Sequence, residues 1–167
     1  MRQPEGPPSD DAPEPEAAAS GHGEPLDLVH AARAARTTAL RGKRLLLVDD
    51  DPDMLEILAA ALHGLGAELL LADSAARALA LCAATPPDML ISDIGMPGED
   101  GFSLVARLRA LPKDRGGAAR AVALTAYYGA ECRARAMRAG FDVYLCKPVD
   151  PEHLVDVLAD LAERPSD

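Results

Sequence analysis

The sequence predicts an α/β fold, a (βα)5 chain wound into a doubly wound, five-stranded parallel sheet. Three observations predict it. Five short runs are apolar without strict alternation, as expected of strands covered on both faces. A helix-start signal or a helical apolar stripe follows each run. Four of the runs lead into a polar residue, Asp49, Asp93, Thr125 or Lys147, so polar groups recur at the same end of the strands. Regular alternation of strand and helix, with right-handed crossovers, gives a parallel sheet with helices on both faces.

The first strand is Arg44 to Val48, and three acids follow it: Asp49, Asp50 and Asp51. Pro52 then opens a helix, so Asp51 reads as its N-cap, which leaves Asp49 and Asp50 without a local structural role. Leu55, Leu58, Leu62 and Leu65 form the buried stripe of that helix, and Gly64 and Gly66 close it. Glu68 to Leu71 is the second strand. Ser74 caps a second helix through Leu79, Leu81 and Cys82, which Pro86-Pro87 stops. Cys82 falls on the apolar face and reads as packing.

The third strand, Met89 to Ile91, ends in Ser92 and Asp93. Gly95, Pro97, Gly98 and Gly101 mark a loop after it. A helix is expected from Phe102 to Leu111, with Phe102, Val105, Leu108 and Leu111 on one face and Arg107 and Arg109 outside it. Arg120 to Leu124 is the fourth strand, ending at Thr125. The turn 126–129 leads into a helix to about Arg138, capped by Ala139-Gly140. Phe141 to Cys146 is the fifth strand, ending at Lys147-Pro148. Pro151 opens a last helix with Leu154, Val157, Leu158 and Leu161 as its stripe.

Composition narrows the function. The chain has 167 residues and a net charge of −10, which argues against non-specific nucleic-acid binding. No apolar run approaches a membrane span, and Met1 to Glu5 lacks the apolar stretch of a signal peptide. A cytoplasmic protein is expected. Three widely spaced cysteines without a CxxC pair fit free thiols in a reduced compartment. The four histidines show no metal-ligand spacing. Met1 to Pro25 is rich in Pro, Gly, Ala, Ser and Glu and is expected to be disordered. A short helix is expected over 26–40 within a tail spanning 1–42. The folded domain is expected over 43–163, with a C-terminal tail over 164–167.

The strand ends carry the chemistry. Asp49 and Asp50 end the first strand, Asp93 the third, Thr125 the fourth and Lys147 the fifth. All five fall on the carboxyl edge of one parallel sheet, where open α/β sheets bind ligands. Three carboxylates there repel one another unless a cation neutralises them. Mg²⁺ suits oxygen donors at a site that shares a phosphate. A Lys and a hydroxyl facing the cation would bind the remaining phosphoryl oxygens.

These pieces resemble the receiver domains of two-component response regulators, a flavodoxin-like fold. The matching stretches are Leu-Leu-Val-Asp49-Asp50, Ser-Asp93-Ile-Gly-Met-Pro-Gly-Glu-Asp-Gly, Leu-Thr125-Ala and Lys147-Pro148, covering about 43–163. The resemblance implies that Asp93 accepts a phosphoryl group from a phosphohistidine. It implies that Asp50, Asp93 and the carbonyl of Gly95 ligate Mg²⁺, with Asp49 acting directly or through water. Thr125 and Lys147 would contact the phosphoryl oxygens, and a cis peptide is expected between Lys147 and Pro148. Tyr144 stands where the family often has an aromatic that changes rotamer on activation, so Thr125 and Tyr144 form the implied switch.

The stretch around Asp93 also resembles bacterial receivers fused behind hybrid histidine kinases. The expectation is that no kinase precedes it and that no DNA-binding domain follows Glu163. The expectation is a single-domain response regulator or detached receiver, with no nucleic-acid or membrane partner. Its partners would be a histidine kinase or phosphotransfer protein and an unidentified downstream protein. It would be a phosphoacceptor rather than an enzyme. One rival is a receiver-like module that binds partners without phosphorylation. Another is a haloacid-dehalogenase-like phosphatase, which Asp49-Asp50-Asp51 superficially suits. Such a phosphatase needs a further acidic pair near a later strand end, and none is present.

Overall fold

A computed structural model describes residues 25–165. The expected disordered stretch from Met1 lies outside these residues, up to Pro25, which begins the first helix, α1 (Pro25–Leu40). Five parallel strands follow: β1 (Arg44–Val48), β2 (Glu68–Ala72), β3 (Met89–Asp93), β4 (Arg120–Thr125) and β5 (Val143–Cys146). Between and after them come α2 (Pro52–Leu62), α3 (Ala75–Ala84), α4 (Gly101–Arg109), α5 (Ala130–Ala139) and α6 (Pro151–Glu163). The spatial order is β2-β1-β3-β4-β5. Leu46 pairs with Leu70 on one side and with Leu90 on the other.

The pleat of β1 divides the core in two. Leu45 and Leu47 face a cluster with Leu40 of α1, Leu55, Leu58 and Leu62 of α2, and Leu154 and Leu158 of α6. Leu46 and Val48 face the other cluster, with Ala75, Ala78 and Cys82 of α3, Leu104 and Leu108 of α4, and Ala136 of α5. Leu45, Leu46 and Leu47 have no exposed surface. Each contributes roughly 1.5–3 kcal/mol of burial free energy. Small residues on α3 let that helix lie close to the sheet, so its buried stripe is Ala75, Ala78 and Cys82, while Leu79 and Leu81 are only half-buried.

The caps follow the sequence. Asp51 accepts the Asp53 N–H at 3.0 Å and starts α2. Ser74 accepts from Arg77 N–H at 3.3 Å, and Asp100 accepts from Ser103 N–H at 2.9 Å. α4 begins at Gly101 and stops at Arg109, two residues before the expected end, where the chain tightens into a Leu111 N–H to Leu108 carbonyl turn.

The fifth strand begins at Val143, later than the sequence suggests. The reason is Asp142, whose carboxylate takes the Ala121 N–H at 2.7 Å. That carboxylate also pairs with Arg109 at 3.1 Å and Arg120 at 3.4 Å. A side chain therefore stands in for a ladder bond, and Phe141 is a buried anchor ahead of the strand. Arg109 is more than a solvated charge outside the apolar face of α4. Its guanidinium donates to the carbonyls of Gly140, Gly117 and Ala119 as well as to Asp142.

α1 packs on α6. Leu40 is fully buried, and Arg36 pairs with Asp156 at 2.5 Å. Leu40 thus belongs to the core although it precedes position 43. No helix among the described residues is long and apolar enough to cross a membrane.

Candidate functional site

The five strand-end residues named from the sequence meet at the carboxyl edge of the sheet. β1 and β3 are neighbours, so their terminal acids come together. Asp49, Asp50 and Asp93 each present a carboxylate oxygen within 4.8 Å of the others. Asp49 is fully buried, Asp93 is 7% exposed, and Asp50 is open to solvent. Lys147, delivered by the end of β5, reaches between the two buried acids. Its Nζ lies 2.7 Å from Asp49 Oδ2 and 3.6 Å from Asp93 Oδ1.

The local hydrogen bonds distinguish the acids. Asp49 uses both oxygens: Oδ1 accepts the Asp51 N–H at 3.0 Å and Oδ2 accepts from Lys147. Asp93 Oδ1 accepts the Gly95 N–H at 3.3 Å. Burial pushes the Asp93 carboxyl above its ordinary pKa; Lys147 opposes the shift and Asp49 adds to it. Burial and a neighbouring acid make a carboxylate harder to ionise, and nearby positive charge eases it.

The loop after β3 is clamped from below. A Cβ on Gly101 would stand 2.4 Å from the Asp93 carbonyl and 2.8 Å from Ile94 Cα. Only glycine lets α4 start this close to the end of β3. On the far side, Thr125 is fully buried and its Oγ1 accepts the Tyr127 N–H at 3.1 Å. Tyr144 Oη donates to the Tyr127 carbonyl at 2.5 Å. Thr125 and Tyr144 therefore grip the same peptide segment from opposite ends. Tyr127 reads in the sequence only as part of a turn, yet its ring also covers Gly95, where a Cβ would meet it at 3.1 Å. No periodicity marks that contact. The Lys147–Pro148 peptide is cis.

The family model for the response regulator receiver domain matches residues 45–159, more than half of the chain.

The chain belongs to the response regulator receiver family.

Relatives agree with that assignment. A 14.6 kDa protein of Leptolyngbya boryana is 47% identical over 111 residues, covering 66% of this chain and 83% of that protein. The sensor histidine kinase GacS of Pseudomonas protegens is 34% identical over 137 residues, which is 79% of this chain but only 15% of the kinase. Among solved structures, the receiver domain of a Pseudomonas aeruginosa sensor histidine kinase superposes with a TM-score of 0.66 at 28% identity. That match covers 74% of this chain and 99% of the other, which holds a magnesium ion in its active-site cleft. The receiver is a signalling domain of two-component phosphorelays, and the pocket of Asp49, Asp50 and Asp93 fits a phosphoacceptor site.

Proposed function

We propose that this receiver accepts a phosphoryl group on Asp93, from a histidine kinase or a histidine phosphotransfer protein, and signals onward by protein contact. The observation that carries the reading is the census of donors around the three acids. Asp49 has both oxygens engaged, and Asp50 stands in solvent. Asp93 is nearly buried, positioned through Oδ1 by the Gly95 N–H, and 3.6 Å from Lys147 Nζ. A carboxylate positioned in this way beside a cluster that can hold a cation is a nucleophile for phosphorus.

The donor set fits Mg²⁺: hard carboxylate oxygens on a rim that opens to water at Asp50. Asp50, Asp93 and the Gly95 carbonyl would hold the ion, and the engaged oxygens of Asp49 suit a contact through water. Bound there, the ion would supply positive charge to the acids and to the incoming phosphoryl oxygens. A carboxylate oxygen of Asp93 attacks the phosphorus as the bond to the donor nitrogen breaks, and the electron pair leaves with the histidine. Lys147 then turns its charge from Asp93 to a phosphoryl oxygen, and the Thr125 hydroxyl, released from the Tyr127 N–H, donates to another. Tyr144 follows into the space so vacated. The phosphorylated form shifts the population only through contacts made in that state alone.

Incubation with acetyl phosphate tests the reading by intact mass. One phosphoryl group should add in Mg²⁺, and none in EDTA or in Asp93→Ala. An undiminished yield in Asp93→Ala would overturn the assignment of the acceptor.

A further inference from the structure

Lys147 is held at both of its backbone polar groups by the end of β4 and the segment that follows it. Its N–H donates to the Thr125 carbonyl at 2.8 Å, one step past Thr125 and Cys146, the last residues paired between β4 and β5. In a parallel ladder the next bond would run from the Tyr127 N–H to the Lys147 carbonyl. That N–H is diverted to the Thr125 hydroxyl, at 3.1 Å. The Lys147 carbonyl accepts instead from the Tyr128 hydroxyl, at 2.5 Å. A side chain thus supplies the bond that the ladder lacks. From the residue so clamped, the ammonium of Lys147 extends to 2.7 Å from Asp49 and 3.6 Å from Asp93.

We propose that Tyr128 is a positioning residue for Lys147. Its hydroxyl fixes the Lys147 carbonyl, and with it the approach of the ammonium to the phosphoryl group on Asp93, a role that rests on the phosphoacceptor reading. On that reading the Thr125 hydroxyl lets go of the Tyr127 N–H to contact the phosphoryl group, so the bond next to Lys147 is remade during the reaction. The tie from Tyr128 does not involve the Thr125 side chain. It therefore holds Lys147 in place while that hydroxyl turns.

The role is one of position rather than stability. Tyr128 is 69% exposed, so water reaches the Lys147 carbonyl when the hydroxyl is removed. Water satisfies that acceptor at little cost to the fold but does not tie it to the β4 side. What is lost is the fixed origin of a flexible side chain whose charged end must meet a phosphoryl oxygen. Tyr127 acts elsewhere: its ring covers Gly95 and its carbonyl takes the Tyr144 hydroxyl.

Tyr128→Phe in the full chain removes the hydroxyl and keeps the ring. In EDTA, amide hydrogen exchange at Lys147 should quicken severalfold, with Leu45 to Val48 unchanged and Tm within about 4 °C of the wild type. With acetyl phosphate and Mg²⁺, the maximal rate of phosphorylation, read by intact mass, should fall about two- to tenfold, the range of one neutral hydrogen bond. The concentrations of acetyl phosphate and of Mg²⁺ that give half the maximal rate should not move, since Tyr128 touches neither. Adding Tyr128→Phe to Lys147→Ala should slow that variant no further. An unchanged exchange rate at Lys147, an equal fall in rate on the Lys147→Ala background, or a shifted Mg²⁺ half-point would overturn the proposal. A wild type that takes no phosphate would overturn the phosphoacceptor reading and the role in transfer with it; the exchange rate, measured without phosphate, tells that failure from loss of the tie.

Discussion

Replacing Asp93 by Asn should stabilise the metal-free receiver at neutral pH. Asp93 lies within 4.8 Å of the other two carboxylates and 3.6 Å from Lys147 Nζ. At an effective dielectric constant near 20, a like-charge pair at the first distance costs about 3.5 kcal/mol, and an opposite pair at the second returns about 4.6 kcal/mol. Lys147 thus roughly offsets the repulsion from buried Asp49. Asp50 is exposed, so its repulsion is closer to the value in water, about 1 kcal/mol. The lost hydration of a nearly buried carboxylate is then uncompensated, in line with the upward pKa shift caused chiefly by burial. A net gain of about 1–2 kcal/mol is expected for Asp93→Asn, a rise in Tm of roughly 2–8 °C.

The sign with pH follows from linkage. The folded-state pKa lies above the unfolded value, so the native protein binds this proton more tightly. The penalty is absent below the unfolded pKa of about 4, sets in as pH rises through the folded value, and is complete above it. The advantage of Asp93→Asn should therefore disappear in acid. Mg²⁺ at ten times its Kd should add about 1.4 kcal/mol to the wild type and close the gap at neutral pH. Thermal melts in EDTA and in Mg²⁺ check each point. Equal or lower stability of Asp93→Asn in EDTA at pH 7 would refute the balance of charges.

Lys147→Ala should cost about 3–5 kcal/mol in EDTA, because it strands the fully buried Asp49, and a second change, Asp49→Ala, should recover most of that loss. Urea unfolding measures both, and a loss below about 1 kcal/mol would mean that water reaches Asp49. Arg109→Ala should cost about 3 kcal/mol or more, since three carbonyls and Asp142 lose their donor at once; a loss no larger than that of a surface Arg would refute its role. Tyr127→Ala removes the ring that covers Gly95 and should shorten the lifetime of phosphorylated Asp93 severalfold, read by intact mass after removing acetyl phosphate. An unchanged lifetime would show that the ring does not exclude water.

The strands were legible because each is a short apolar run, and four of the five lead into a polar residue, a local pattern of a few positions. The same punctuation placed Asp49, Asp50, Asp93, Thr125 and Lys147 on one edge. What local pattern cannot carry is pairing across the chain. Lys147 and Asp49 are 98 residues apart, Arg36 and Asp156 are 120 apart, and Arg109 meets the Gly140 carbonyl 31 residues on. Arg109 looked like a solvated charge because its spacing puts it off the apolar stripe of α4; only the fold shows three carbonyls waiting beside it. Phe141 and Asp142 read in the sequence as part of β5, yet the strand begins at Val143. The carboxylate that ends the ladder belongs to its neighbour Asp142, whose side-chain bond to Ala121 has no signature in sequence.

The position of the cleft follows from the strand order. The chain runs from β1 outward to β2, then back past β1 to β3 and on to β4 and β5. That reversal sends the helix after β1 and the helix after β3 to opposite faces: α2 packs with Leu45 and Leu47, and α4 packs with Leu46 and Val48. The two loops must therefore diverge directly above neighbouring strand ends, and the crevice between them is a consequence of topology. Asp49 and Asp50 stand on one lip and Asp93 on the other, so three like charges are brought together by the winding of the sheet rather than by any local preference. The fold tolerates this because Lys147 arrives from β5 to lie between the two buried acids, and because the third acid, Asp50, stays in water. A site balanced in this way responds strongly to any added positive charge, which is the property a phosphoacceptor needs before a phosphoryl dianion can approach.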